Sequence, residues 1–165
     1  MSLLAQIFAS LDEDEDGTAW SDAAPVRWMR EDCSFVLEDD AADAAQAHFG
    51  AAIEAFLRID DATFAAAAAD VHALHEKHGL PSPRIDGPAQ VWQHVPFGSE
   101  AHASRHRDGR VRINLECSCD WEQEHGLQLV FTHDGRICKV GPFDGHLSHA
   151  DAYADRSLET VVYPH

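Results

Sequence analysis

The sequence predicts an α+β fold, with an antiparallel sheet of four or more strands and an α-helical hairpin packed on one face. Three observations predict it. Residues 44–79 carry apolar side chains at helical spacing. Residues 91–163 switch to the alternation of half-buried strands. Two Asp-Gly pairs, Asp108-Gly109 and Asp134-Gly135, punctuate that half as hairpin turns do. At 165 residues the chain is long enough to bury a core. A single domain is expected, made of an acidic segment 1–43, the hairpin 44–79 and the β-rich half 91–163.

Residues 2–11 place Leu3, Leu4, Ile7, Phe8 and Leu11 on one side of a short helix. Short strands are expected at 26–29 and 34–38, and Asp39, Asp40 and Asp43 offer N-caps to the next helix. Helix 44–59 is Ala-rich, with Phe49, Ile53, Phe56 and Leu57 recurring on one face. A second helix is expected at 62–78, its stripe made of Phe64, Ala68, Val71, Leu74 and His75. Gly79 and Pro81 stop it. Ala65 to Ala69 read as a close helix-packing surface. Residues 91–95 are short and apolar without a clear type. Residues 160–163 are a candidate last strand.

The strand at 110–119 sorts its side chains by geometry. Val111, Ile113, Leu115, Cys117 and Cys119 point one way, and Arg112, Asn114, Glu116 and Ser118 the other. A two-residue type I′ turn at Asp108-Gly109 sets Arg107 opposite Arg110 and Arg105 opposite Arg112. Four arginines then share the outer face, and His102, Ser104 and His106 join the inner one. A three- or four-residue loop shifts that register. Like charges placed opposite each other repel, so the patch wants anions, either from the acidic N-terminal third or from a ligand. By the same rule Cys138 faces inward opposite Phe131.

The net charge is −17, from 12 basic and 29 acidic residues. Residues 1–61 hold 15 of the acids and 3 of the bases. Such a surface repels nucleic acid, whose binding rests on phosphate neutralisation. It favours a basic protein partner, or serves solubility alone. No apolar run reaches the roughly 20 residues of a membrane span. Residues 1–11 lack a basic leader, so a cytoplasmic protein with reduced Cys33, Cys117, Cys119 and Cys138 is expected.

Several groupings resemble sites in part. Asp12-x-Asp14-x-Asp16-Gly17 matches the first half of a calcium loop, but Ala23 stands where the bidentate glutamate belongs, so a solvated acidic turn is expected. His72, His75 and His78 lie on one helix but splay too widely to share an ion. Cys117 and Cys119, with His102 and His125, are an alternative zinc set at unusual spacing. Asp144-Gly145-His146-x-x-His149-x-Asp151 reads as a polar turn. Trp121-Glu122-Gln123-Glu124-His125-Gly126 is the best candidate. It has two readings, a structural one, with Trp121 plugging the sheet edge and Gly126 at an unusual φ, and an acid–base one through Glu124 and His125.

The octapeptide from Cys119 to Gly126 carries a resemblance. Together with Leu127 through Phe131, Asp134-Gly135 and Lys139-Val140-Gly141, it resembles an uncharacterised family of bacterial domains with a Trp-Asp/Glu-x-Glu-His-Gly motif. Trp20-Ser21, a strand at 35–38 and two helices ahead of Val91-Trp92 fit the same layout, so the resemblance covers most of the chain. The family implies no activity. Its small, acidic, α+β character is similar to that of immunity-type, partner-binding proteins. The expectation is a protein that binds a basic partner through Asp12, Asp14 and Asp16, without a cofactor, and without nucleic acid or membrane. The alternative is a metal-dependent or acid–base enzyme built on Cys117, Cys119, Glu124 and His125.

Overall fold

The structure is a computed structural model that describes residues 1–38, 43–78 and 83–165. The expected caps Asp39 and Asp40, and the expected helix stop at Gly79 and Pro81, lie outside the described residues. The fold is α+β, as the sequence predicts. Its strands are β1 (Asp12–Glu13), β2 (Ala19–Trp20), β3 (Ala24–Val26), β4 (Glu31–Leu37), β5 (Phe97–Arg105), β6 (Val111–Cys119), β7 (Glu122–Phe131) and β8 (Ile137–Gly141). They form an eight-stranded, mostly antiparallel sheet in the order β1-β2-β4-β5-β6-β7-β8, with β3 paired beside β4. The helices are α1 (Leu3–Ala9), α2 (Asp43–Leu57), α3 (Asp61–His78) and α4 (His149–Tyr153), and Pro88–His94 forms a 3₁₀ turn.

By contacts the chain divides into two compact units. The first takes Met1–Ile59, Ser99–Leu115 and Phe131–Arg136, and the second takes Asp60–Gly98, Glu116–Val130 and Ile137–His165. In the first, Ser2 caps α1 by accepting the Ala5 N–H at 3.1 Å. Helix α2 buries Phe49, Ala52, Ile53 and Phe56. Phe56 meets Phe35 of β4, Trp28 and Phe131 edge-on, with centroids 5.8, 5.0 and 5.1 Å away. The Trp28 indole N–H donates at 2.7 Å to the Phe56 carbonyl in the last turn of α2, which also accepts the Ile59 N–H. The second unit repeats the device. Trp92 donates to the Phe64 carbonyl of α3 at 3.0 Å and packs on the Phe64 ring. Helix α3 buries Ala67, Ala68, Val71, Leu74 and His75. Ala65, Ala66 and Ala69 are exposed, because five consecutive residues run all the way round a helix.

Strand pairing corrects one expectation of side-chain placement. The His106 N–H donates to Arg110 O, and the Gly109 N–H to His106 O. Gly109 alone in this turn has positive φ, +80°. This is a three-residue loop, a type I turn closed by a left-handed glycine, and not the two-residue type I′ turn, which needs positive φ at Asp108 as well. The register therefore shifts by one. His106 faces Arg110, and counting back sets Ser104 opposite Arg112 and His102 opposite Asn114. Ala101 and Ala103 take the core side, and both are fully buried. The same loop closes at 132–136, where Thr132 N–H donates to Arg136 O and Gly135 N–H to Thr132 O. Cys138 is accordingly not opposite Phe131. It is half-buried, whereas Cys33, Cys117 and Cys119 are buried.

A parallel pair joins β4 to β5, with Val36 beside His102 and Leu37 beside Ala103. It brings Glu38 to His102, whose Nδ1 lies 2.7 Å from Glu38 Oε1 and whose Nε2 lies 3.7 Å from Glu100 Oε2. The hydrogen bond with Glu38 lifts the His102 pKa, burial opposes it, and the Glu38 and Glu100 charges add to the rise. A raised folded pKa stabilises the native state fully below the unfolded value, near 6.5, and that part is lost as pH rises through the folded pKa. The stability difference between the wild type and His102→Gln should therefore be full below the unfolded value and shrink as pH rises through the raised folded value. Urea unfolding across that range measures it, and a difference that is flat or grows would contradict the pairing.

Candidate functional site

The hairpin from β6 to β7 turns at Asp120-Trp121. Trp121 is 2 % exposed and stands edge-on to His75 of α3, with ring centroids 5.4 Å apart. Glu122 reaches over the next three residues. Its carboxylate accepts the N–H groups of Glu124 at 3.1 Å and His125 at 2.8 Å. Burial pushes the Glu122 carboxyl up, but those N–H groups and the His125 ring together hold it below the ordinary carboxylate range. Gly126 sits at φ +64°, where a Cβ would lie 2.5 Å from the Cys117 carbonyl oxygen. The structural reading of this motif holds for the buried Trp121 and for Gly126, where no side chain fits; the side chain that bonds the connection is Glu122, and not Glu124 or His125 as that reading expects.

The acid–base reading gains less. Glu124 and His125 are exposed, and His125 Nδ1 lies 3.5 Å from Glu122 Oε1. Cys119 donates its thiol to Glu122 O at 3.2 Å, and burial pushes its pKa up to about 11. Cys33, also by burial, is pushed up to about 12. Such thiols are neither nucleophiles nor ready ligands at neutral pH. The zinc set Cys117, Cys119, His125 and His102 does not assemble. Among the described residues, the group of three or more possible ligands is Glu122, Glu124 and His125, with no cysteine and no His102 in it. His72 and His75 are occupied elsewhere, with ring nitrogens on the Ile85 and Pro83 carbonyls at 3.2 and 3.1 Å.

The expected four-arginine face does not form, for the reason the register gives. Arg105 lies on the same side as Ala101 and Ala103. There it covers the Phe49 ring at 5.6 Å and donates to the Gly109 carbonyl at 2.8 Å. Arg107 sits in the turn. Arg112 is buried beside Asp108, with 3.8 Å between the charges, and Arg110 is exposed.

The acidic turn at 12–17 is a hairpin joining β1 to β2. Asp14 accepts the N–H groups of Asp16 and Thr18 through Oδ1, at 2.9 and 3.0 Å, and Gly17 takes φ +81°. No calcium loop is built, since α1 ends before β1 and the turn leads into a strand. Asp12, Glu13, Glu15 and Asp16 are exposed, and among the described residues no ion pair holds them. Asp12 pairs with Trp20, and Trp20 with Val36. Adjacent paired residues share a sheet face, so Trp20 covers Val36 on the side away from Ala19, Leu37 and Ala103. Trp20 remains 39 % exposed. In the sequence it enters only through the family resemblance and is not named as a site candidate, although a tryptophan beside an acidic run is a signal for one.

Two functional-looking features were illegible in the sequence. Lys139 is fully buried on β8, and its Nζ donates to Gln128 Oε1 at 2.7 Å, to His146 O at 2.9 Å and to Asp144. His149 is buried too, with Nε2 between the Val140 and Val162 carbonyls, 3.0 Å from each. The His/Asp segment 144–151 is thus partly interior rather than a surface turn.

Residues 7–147 match a protein family described as a domain of unknown function, DUF6985. No curated protein and no solved structure matches the chain. Among the described residues, no helix is long and apolar enough to cross a membrane.

Proposed function

The chain belongs to this DUF6985 family, and from that premise we propose that it works without catalysis, binding a basic protein partner through the acidic β1–β2 hairpin. The carrying observation is the exposed Trp20 opposite Asp12, among the unpaired carboxylates of Asp12, Glu13, Glu15 and Asp16. Tryptophan is the residue type most enriched at the centre of protein interfaces, and its ring face attracts lysine and arginine. Surrounding carboxylates steer a cationic partner and set the salt dependence of its association. An immunity-like role, neutralising a basic bacterial toxin in a reducing cytoplasm, is the concrete form of this reading. The family resemblance and the four free thiols support it.

The test uses two variants that spare Asp14, because that residue holds the turn together. One replaces Asp12, Glu13, Glu15 and Asp16 with Asn or Gln, and the other is Trp20→Ala. Affinity capture from the native host at low salt should recover a basic protein with the wild type, released by salt. Each variant should lose it. A captured set that is the same for all three proteins would end the proposal.

A further inference from the structure

The start of β7 gathers three metal donors that the partner reading does not use. Along a regular strand, Glu122 and Glu124 would point to one face and His125 to the other. Here Glu122 draws the N–H groups of both Glu124 and His125 onto its carboxylate, and the left-handed Gly126 comes directly after them. The alternation is broken, and His125 comes round to the side of the two glutamates. One ligand atom from each residue lies within 4.8 Å of the other two. Small side-chain adjustments bring three such atoms to the roughly 2.0–2.2 Å that imidazole and carboxylate donors keep from zinc.

The charge balance of the group points the same way. Two carboxylates converge here, and like charges this close oppose one another. Among the described residues no lysine or arginine pairs with either, and the imidazole is their sole charged or chargeable neighbour in the group. Glu124 and His125 are exposed, so an ion reaches them directly.

We propose that Glu122, Glu124 and His125 bind a divalent transition-metal ion, of which zinc is the type. The donor set decides the class. Calcium and magnesium take oxygen ligands, whereas an imidazole with carboxylates suits zinc and its first-row neighbours. Three protein donors leave a position of the ion open to water or to an outside ligand, unlike a closed four-ligand structural site. This inference is independent of the acidic hairpin.

Calorimetric titration of the untagged protein with zinc alone tests it. One ion per chain is expected. His125→Ala and Glu124→Gln, both at exposed positions, should each weaken binding at least about tenfold, the loss that accompanies removal of even an outer partner of a metal. His102→Ala should leave it unchanged. Glu122 is kept, because its carboxylate also bonds the backbone. Cobalt in place of zinc should give visible d–d absorption without a thiolate-to-cobalt charge-transfer band. The proposal is overturned by failure to saturate at one ion, by zinc binding that survives both His125→Ala and Glu124→Gln, or by a thiolate band, which would move the ion to Cys117 and Cys119.

Discussion

Asp144→Ala should destabilise the protein by about 3 kcal/mol, more than removal of the lysine it faces. Lys139 has no exposed surface, and its ammonium meets three acceptors, of which Asp144 alone is charged. Deleting Asp144 strands a buried cation. Lys139→Met removes that cation and fills its space. Asp144, 37 % exposed at its side chain, then keeps the His146 N–H and solvent, while Gln128 Oε1 loses the lysine donor. That variant should cost about 1–2 kcal/mol. The order reverses if the pair is a surface bridge of ordinary kind. The pH dependence adds a second check. Burial already lowers the Lys139 pKa, and the hydrogen bond and charge of Asp144 resist that fall. Without Asp144 the folded pKa drops further below its unfolded value. The unfolded chain then binds more protons than the native state between those two values, and stability climbs with pH through the window. The deficit of Asp144→Ala should therefore narrow as pH rises through that window. Urea titrations at several pH values measure both.

Gly126→Ala should cost about 2–4 kcal/mol. The left-handed backbone contributes about 1–2 kcal/mol for any residue with a Cβ. Overpacking contributes the rest, because the Cβ would lie 2.5 Å from a strand carbonyl that has no flexible end to move aside. Gly109→Ala is the control. Its φ is +80°, yet nothing lies within 4 Å of its added Cβ. It should lose only the backbone contribution. Equal losses in the two variants would mean that the β7 strand yields at Gly126 and the clash is relieved.

The sequence is legible where local rules act alone. Helices α2 and α3 follow from their apolar spacing, and Phe49, Ile53, Phe56, Val71 and Leu74 are buried as that spacing predicts. The inward row Val111, Ile113, Leu115, Cys117 and Cys119 follows from alternation. Legibility fails where two local solutions compete. Asp-Gly fits a two-residue turn and the second half of a three-residue turn equally well, and the strands take the latter because it puts Ala101 and Ala103, not His102 and Ser104, on the core side. The same loop recurs at 14–18, where Asp14 N–H donates to Thr18 O and Gly17 N–H to Asp14 O. Reading that Asp-Gly as a hairpin turn would have revealed β1 and β2. The parallel pairing of β4 with β5 joins residues more than 60 apart in the chain, and nothing local encodes it. The burial of Lys139 was foreshadowed only by apolar neighbours on both sides. Its acceptors are tertiary. Of the motif around Trp121, the glycine conformation and the buried indole were legible, but the turning of His125 toward the glutamates depends on a side chain bonding its own backbone.

Three strands of the sheet, β1, β3 and β8, are paired to one neighbour, and β1 and β8 are each blunted by a different means. On β8, the Val140 N–H is taken by the carbonyl of Val162 at 2.8 Å, so the last residues of the chain lie along that rim and occupy a bond that a neighbouring molecule could otherwise have claimed. On the opposite rim, β1 is two residues long and both are acidic. A second copy approaching there would bring carboxylates against carboxylates. The acidity that we propose for partner capture therefore also disfavours strand-to-strand pairing at β1, which is the hazard every open sheet carries.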